Sequence, residues 1–322
     1  MNNIPVFLSS NDKYAPFVAT TIASICDNTK EFINFYILDS GISKINKQKI
    51  LDTKQFFSNF SIEFIKINCN KIFSNYPTLK HISRDMYSRF LIPSILPNSK
   101  KVIYSDIDVA FVGDIADLYA IDMQDKILAA VPEYRKEAKK QLDETKNRLN
   151  LSKQHEPFCS GLLLLNCHKW KQYNIDTQIF QISQSLVSMK VLKYPDQDIL
   201  NKVFNNNYLK LDIKYCLIPK HLKSNFAKDN LNEIRKRAVI YHFAGGGISK
   251  PWNNKSLEGG SIFWKYVSKT SFTKEIEQIY DKYTKRQNIK KFIQKIFVIR
   301  NSANKQFKQI TFLGLNLKIP RI

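Results

Sequence analysis

The sequence is poor in the features that mark several large protein classes. Its five cysteines, Cys26, Cys69, Cys159, Cys167 and Cys216, are odd in number and widely spaced, and none belongs to a C-x-x-C pair. That argues against a disulfide scaffold or a zinc ribbon and predicts a reducing compartment. No window approaches the roughly 18 uninterrupted apolar residues that a membrane-spanning helix needs. The opening MNNIPVFLSSNDKY has neither the charged leader nor the apolar length of a secretory signal, so the expected location is the cytoplasm. No internal repeat is visible. Acidic residues are scarce too: 28 Asp and Glu stand against 50 Lys and Arg, a formal net charge of +22 over 322 residues. The expected partners are therefore anionic: nucleic acid, an acidic membrane surface or phosphorylated small molecules. Nucleic acid is the weaker expectation, because no recognisable binding module appears and the basic excess sits beside aliphatic residues instead of base-stacking aromatics.

What is present reads as a soluble α/β chain. Hydrophobic content of 43% and charged content of 24% are ordinary, and the length suits one large α/β domain with an appendage, or two modest domains. Short β-type runs alternate with helical patterns. PVFLS (5–9) precedes a helix from Tyr14 to about Cys26, INFYILD (33–39) precedes a helical stretch at 43–57, and SIEFIKI (61–67) and KVIYSD (101–106) follow. ILAAVPE (127–133) and FCSGLLLLN (158–166) read as buried strands with a charged helix at about 134–150 between them, and AVIYHFAGGG (238–247) runs from a strand into a glycine loop. The alternation predicts right-handed βαβ units and a mainly parallel sheet, whose ligands sit at the carboxyl ends of the strands. A main domain over residues 1–265 is followed by a basic region, 266–322. From Lys269 onward 13 Lys and Arg oppose three acids, so this tail carries about +10 of the total. Within residues 285–300, Ile289, Phe292, Ile293, Ile296 and Phe297 form one apolar stripe on a basic helix. Such a helix suits an anionic membrane surface; a solvated helix packed on the main domain is the alternative.

Three stretches carry chemistry. In YSDIDVAFVGD, Asp106 and Asp108 follow the apolar run Val102, Ile103, Tyr104. Carboxylates one residue apart at a strand end can converge on Mg²⁺ or Mn²⁺ if the chain bends there, although a solvated turn has the same D-x-D pattern. In HFAGGGISKPW (242–252), His242 offers a nitrogen ligand, the glycines allow backbone N–H groups close to phosphate, and Lys250 adds a cation. In YPDQDILNKVF (194–204), Pro195 and Asp196 make an ordinary helix start. Asp196 and Gln197 held there would equally stabilise positive charge developing on a sugar ring.

With SSNDKY, FYILDSGIS, HISRDMYSRF, VIYSDIDVAFVGDI, FCSGLLLLNCHKW, YPDQDIL and HFAGGGISKPW in this order, the chain resembles glycosyltransferase family 8 over about residues 4–255. It is most similar to the bacterial lipooligosaccharide galactosyltransferases and lipopolysaccharide galactosyl- or glucosyltransferases. The resemblance implies a GT-A fold, and transfer of a hexose from a UDP-sugar with retention of configuration, using Mn²⁺ or in its place Mg²⁺. It implies Asp106, Asp108 and His242 as metal ligands, with Ile107 between the carboxylates. Ser9, Asn11, Asp12 and Tyr14 fall in the uridine stretch, with Tyr14 stacking on uracil; Arg89 lies near the donor, and Gly245 and Lys250 hold the diphosphate. Asp196, Gln197 and Glu133 border the sugar, the glutamine facing the anomeric carbon. Three positions depart from the family: Asn11 and Glu133 stand where aspartate is usual, and Cys159 where asparagine is common. The implied acceptor is a lipopolysaccharide- or lipooligosaccharide-type glycan or glycolipid, reached from the inner face of the cytoplasmic membrane. A catalytically silent UDP-sugar-binding protein and a basic nucleic-acid-binding protein are the alternatives.

Overall fold

The computed structural model describes residues 3–78, 83–133, 139–220, 222, 228–301, 307–312 and 315–320. The chain forms two compact units, Met1–Thr273 and Lys274–Ile322.

The first unit is built on a seven-stranded sheet of order β3-β2-β1-β4-β7-β6-β8. Its strands are β1 (Asn3–Ser10), β2 (Phe32–Asp39), β3 (Phe60–Lys66), β4 (Val102–Ser105), β6 (Leu128–Pro132), β7 (Phe158–Leu165) and β8 (Leu209–Lys210). A separate two-stranded ribbon pairs β5 (Val109–Phe111) with β9 (Ile240–His242). The β1–β2, β2–β3, β1–β4 and β6–β8 pairs are parallel, as the alternation of strand and helix predicts. The departure is β7, which lies antiparallel between β4 and β6. All eight of its residues are buried, which fits its largely apolar composition. The antiparallel direction puts its first residues beside the carboxyl end of β4.

Helix α1 (Ala15–Asp27) follows β1 with Pro16 in its first turn, where a missing N–H costs nothing, and every residue from Ala15 to Cys26 is buried. The helical stretch expected at 43–57 is shorter: α2 (Lys44–Leu51) starts on a Ser43 cap and gives way to a 3₁₀ turn at Asp52–Gln55. The charged helix expected at 134–150 is α3 (Lys139–Leu149), with residues 134–138 outside those described. Helix α4 (Pro195–Val203) again begins with a proline. The sheet, α3 and α4 share a core containing Phe7, Tyr104, Leu149, Phe158, Leu163, Trp170 and Leu200.

The second unit contains most of α5 (Thr273–Ile296) and an antiparallel sheet of β10 (Phe297–Asn301), β11 (Phe307–Phe312) and β12 (Leu315–Pro320). This corrects the expectation of helix through residue 300. The run Phe297, Val298, Ile299 is aromatic and β-branched, and it pairs with Phe312, Thr311 and Ile310, so strand pairing overrides the helical spacing at Phe297. Among the described residues, no helix is long and apolar enough to cross a membrane.

Candidate active site

The backbone N–H of Asp106 donates to Gly161 O at 2.7 Å, extending the β4–β7 pairing one step past the end of β4. The chain then turns at Ile107, whose carbonyl accepts from Thr21 Oγ1 of α1 at 3.1 Å, and re-enters extended structure as β5. Both Asp106 and Asp108 line the resulting cleft. Across the ribbon, Val109 pairs with His242, and Phe243 N donates to Asp108 O at 2.8 Å. His242 Nε2 therefore stands 3.2 Å from Asp108 Oδ1 and 3.8 Å from Asp106 Oδ2. One ligand atom from each of the three side chains lies within 4.8 Å of the other two. Two carboxylates and an imidazole around one point are a fitting donor set for Mn²⁺ or Mg²⁺.

The packing here leaves no room for a side chain at residue 161. A Cβ on Gly161 would overlap His242 Cε1 and stand 2.7 Å from Asp106 Oδ2. Arg89 is buried and stacks over the Tyr104 ring at 4.4 Å. It donates to Asp106 Oδ1 at 3.1 Å and to Ser160 O at 2.5 Å, and pairs with Asp196 Oδ2 at 3.1 Å. Tyr104 also donates to Asp106 Oδ1, at 2.7 Å. Lys250 pairs with Asp108 Oδ2.

These neighbours set the charges. Burial pushes the Asp106 carboxyl up, Arg89 opposes this, and Asp108 adds to it, leaving Asp106 above its ordinary value. Burial also works against the charge of Asp108, but Lys250 and His242 outweigh it and hold that carboxyl well below the usual range. For His242, burial disfavours the proton, yet Asp108 and Cys159 carry it well above an ordinary histidine.

The cleft, of about 300 Å³, continues past Ser160 to the start of α4. Asp196 Oδ2 accepts from Ser160 Oγ at 3.0 Å. Gln197 Oε1 accepts from Ser160 N at 3.2 Å, and Gln197 Nε2 donates to Glu133 Oε1 at 3.1 Å. A backbone N–H can only donate, so the amide must turn its oxygen to Ser160 and its nitrogen to Glu133. The second acid of the motif does something else. Asp198 is buried, accepts from Arg148 in a two-pronged pair at 2.7 and 2.8 Å, and accepts from the N–H groups of Lys193 and Tyr194. It fastens α4 to α3.

The residues expected on uridine do not line this cleft; they lie where β1 ends and in the turn after it. Ser9 accepts from Ser88 Oγ at 2.7 Å. Asn11 donates to Asp85 at 3.4 Å, while its Oδ1 is buried without a partner among the described residues. The Asp12 carboxylate accepts from Ser43 N at 2.7 Å and Asn46 Nδ2 at 2.8 Å, and the Ser43 N–H holds it below its ordinary value. Tyr14 is 40% exposed. Gly245 lines the cleft with φ +104°, a conformation that favours glycine, and a Cβ there would come within 2.7 Å of Lys220 Nζ.

Sequence reasoning gave no role to Tyr104, Ser160, Gly161, Cys216 or Lys220. A signal existed for one of them. Gly161 interrupts an apolar run, and a glycine inside a strand marks a close approach of neighbouring groups.

The sequence profile described as Glycosyl transferase family 8 matches residues 5–256, most of the chain. The chain belongs to this family. A Haemophilus influenzae protein with a glycosyltransferase name is 32% identical over 253 residues, covering 78% of this chain and 73% of the relative. A lipopolysaccharide 1,2-glucosyltransferase of Escherichia coli is 25% identical over 263 residues, covering 80% and 75%. Among solved structures, the galactosyltransferase LgtC in complex with donor and acceptor sugar analogs superimposes with a TM-score of 0.70 at 23% identity, covering 83% of this chain and 96% of that one. The last comparison establishes a shared GT-A fold, and the family makes the chain a glycosyltransferase.

Proposed function

We propose that the chain is a metal-dependent, retaining hexosyltransferase that moves galactose or glucose from a UDP-sugar to a lipopolysaccharide- or lipooligosaccharide-type acceptor. The observation that carries this reading is the convergence of Asp106, Asp108 and His242 within 4.8 Å at the wall of a cleft that also holds Arg89 and Lys250. Bound there, Mn²⁺ would neutralise charge building on the UDP leaving group. Lys250, beside Asp108, brings a second positive charge to the same place. The orphaned Asn11 Oδ1 supports a uracil ring at the end of β1, because it is an acceptor for the ring N3–H. At the sugar end Gln197 is held by Ser160 and Glu133. A neutral amide is a poor nucleophile, which favours same-face attack by the acceptor hydroxyl, its proton passing to a diphosphate oxygen. The lipopolysaccharide acceptor is supported by the name of the Escherichia coli relative.

The test is to incubate the protein with Mn²⁺ and UDP-galactose or UDP-glucose, measuring donor hydrolysis and then transfer to lipooligosaccharide fragments. Asp106→Asn should reduce both by about a hundredfold or more with an unchanged circular dichroism spectrum. Binding of a UDP-hexose without hydrolysis or transfer would make the protein a silent binder instead.

We further propose that α5 rests on an anionic membrane from the cytoplasmic side. Ile289, Phe292 and Ile293 are 52, 64 and 53% exposed, and Lys285, Arg286, Lys290 and Lys291 are exposed beside them. Each basic residue near such a surface contributes about 1 kcal/mol. Phe292→Asp should weaken binding to vesicles containing phosphatidylglycerol about tenfold. Equal binding by the variant removes the membrane from the reading.

A further inference from the structure

His242 has two faces. Nε2 looks toward Asp106 and Asp108, while Nδ1 looks into the protein toward two thiols, Cys216 Sγ at 3.5 Å and Cys159 Sγ at 3.7 Å. Cys159 comes from the start of β7, and Cys216 ends a 3₁₀ turn at Ile213–Tyr215. The two sulfurs and the imidazole are buried, and one ligand atom from each lies within 4.8 Å of the others. All five cysteines are free thiols.

We propose that Cys159, Cys216 and His242 Nδ1 form a second cation site, selective for thiophilic ions of the zinc type. The spacing supports it. Zn–S bonds of about 2.3 Å and Zn–N bonds of about 2.05 Å at a tetrahedral angle give a sulfur-to-nitrogen edge of about 3.6 Å. The observed 3.5 and 3.7 Å bracket that edge. One sulfur would suffice to orient an imidazole hydrogen; two at matching range supply two corners of a tetrahedron, with nitrogen the third. Soft sulfur donors also separate this site from the oxygen-rich one on the other face of the ring. Cys159 lines the cleft and gives an ion its way in.

The two sites share one ring and therefore compete. An ion on Nδ1 releases the Nδ1 hydrogen and the remaining thiol hydrogen to solvent and leaves the ring's other hydrogen on Nε2. Nε2–H then donates to Asp108 Oδ1, 3.2 Å away, and no longer offers a lone pair to manganese. The thiophilic site is independent of the donor-site reading, whereas its antagonism with manganese rests on that reading.

The experiment uses the full chain, reduced and anaerobic, titrated with Co²⁺ as a spectroscopic stand-in for zinc. The expected result is a sulfur-to-cobalt charge-transfer band that saturates at one equivalent, persists in Asp106→Asn, and requires about a hundredfold more Co²⁺ in Cys216→Ser. Absence of the band, or a band unchanged in Cys216→Ser, overturns the site. Circular dichroism checks that each variant is folded, and Cys159→Ala replaces Cys216→Ser if the latter is not. Electron paramagnetic resonance of Mn²⁺ then reads the antagonism: Zn²⁺ should release bound Mn²⁺ from the wild type but not from Cys216→Ser. A cobalt band without manganese release leaves the thiophilic site standing and overturns His242 as the shared ligand.

Discussion

In the half of the sheet formed by β3, β2 and β1 every neighbouring pair is parallel, and its buried carboxylate, Asp39, is held by groups close in sequence: the N–H groups of Gly41 and Ile42, and Lys47. In the half formed by β4, β7, β6 and β8 one strand is reversed, and the charged groups are joined over long stretches of chain. Arg89 ties β4 to the start of α4 through Asp106 and Asp196, and Arg148 ties α3 to Asp198. The first half is a scaffold whose buried carboxylate is satisfied locally. The second gathers distant carboxylates around a buried arginine, Arg89, and a half-buried one, Arg148, an arrangement that is expensive to desolvate and strongly dependent on every partner. That is where the candidate chemistry sits.

The comparison breaks most sharply at Arg148. Arg148→Ala would strand the buried Asp198 carboxylate, and a loss of about 3–5 kcal/mol is expected in urea unfolding. If the loss is below about 1 kcal/mol, the ion pair is not what holds α4 to α3. Next come two glycines, one from each half. Gly161→Ala would drive a methyl group into His242 and Asp106, so donor hydrolysis should fall about a hundredfold with weaker Mn²⁺ binding, read by kinetics and metal titration. Gly41→Ala meets no atom within 4 Å but must adopt φ +110°, so it should cost about 1–3 kcal/mol of stability and leave donor hydrolysis unchanged.

The smallest effect concerns Asp39. Burial opposes its charge, but Lys47 and the N–H groups of Ile42 and Gly41 outweigh it and hold the carboxyl below its ordinary value. A depressed folded value stabilises the protein fully above the unfolded value of about 3.9, and the contribution disappears as pH falls through the lower folded value. Asp39→Asn should therefore lower stability by about 1 kcal/mol at neutral pH, with the deficit narrowing below about pH 4. Urea midpoints compared at the two pH values give the answer, and a constant deficit would assign the effect to packing alone.

Much of the scaffold was legible because its signals are short-range. The strand of PVFLS, the helix after Tyr14 and the strand ending at His242 come from local alternation and punctuation. Asp106 and Asp108 could be placed at a strand end, since that needs only the apolar run before them. Phe297 was misread because its helical spacing and its β propensity conflict, and pairing with Phe312 decides between them. The tie of Asp198 to Arg148 was equally hidden, since nothing in PDQDIL distinguishes a carboxylate facing a cleft from one facing a distant arginine.

The sequence by itself determined the α/β alternation, the positive charge, the carboxylate pair at the end of β4 and the family motifs, because each is written in residues adjacent along the chain. Only the tertiary structure decided that β7 runs backwards, so that Gly161 reaches Asp106 and Ser160 reaches Asp196, and that one imidazole stands between two carboxylates and two thiols. Strand direction and side-chain convergence depend on loop closure and on which buried surfaces fit together, and both are properties of the whole packed chain.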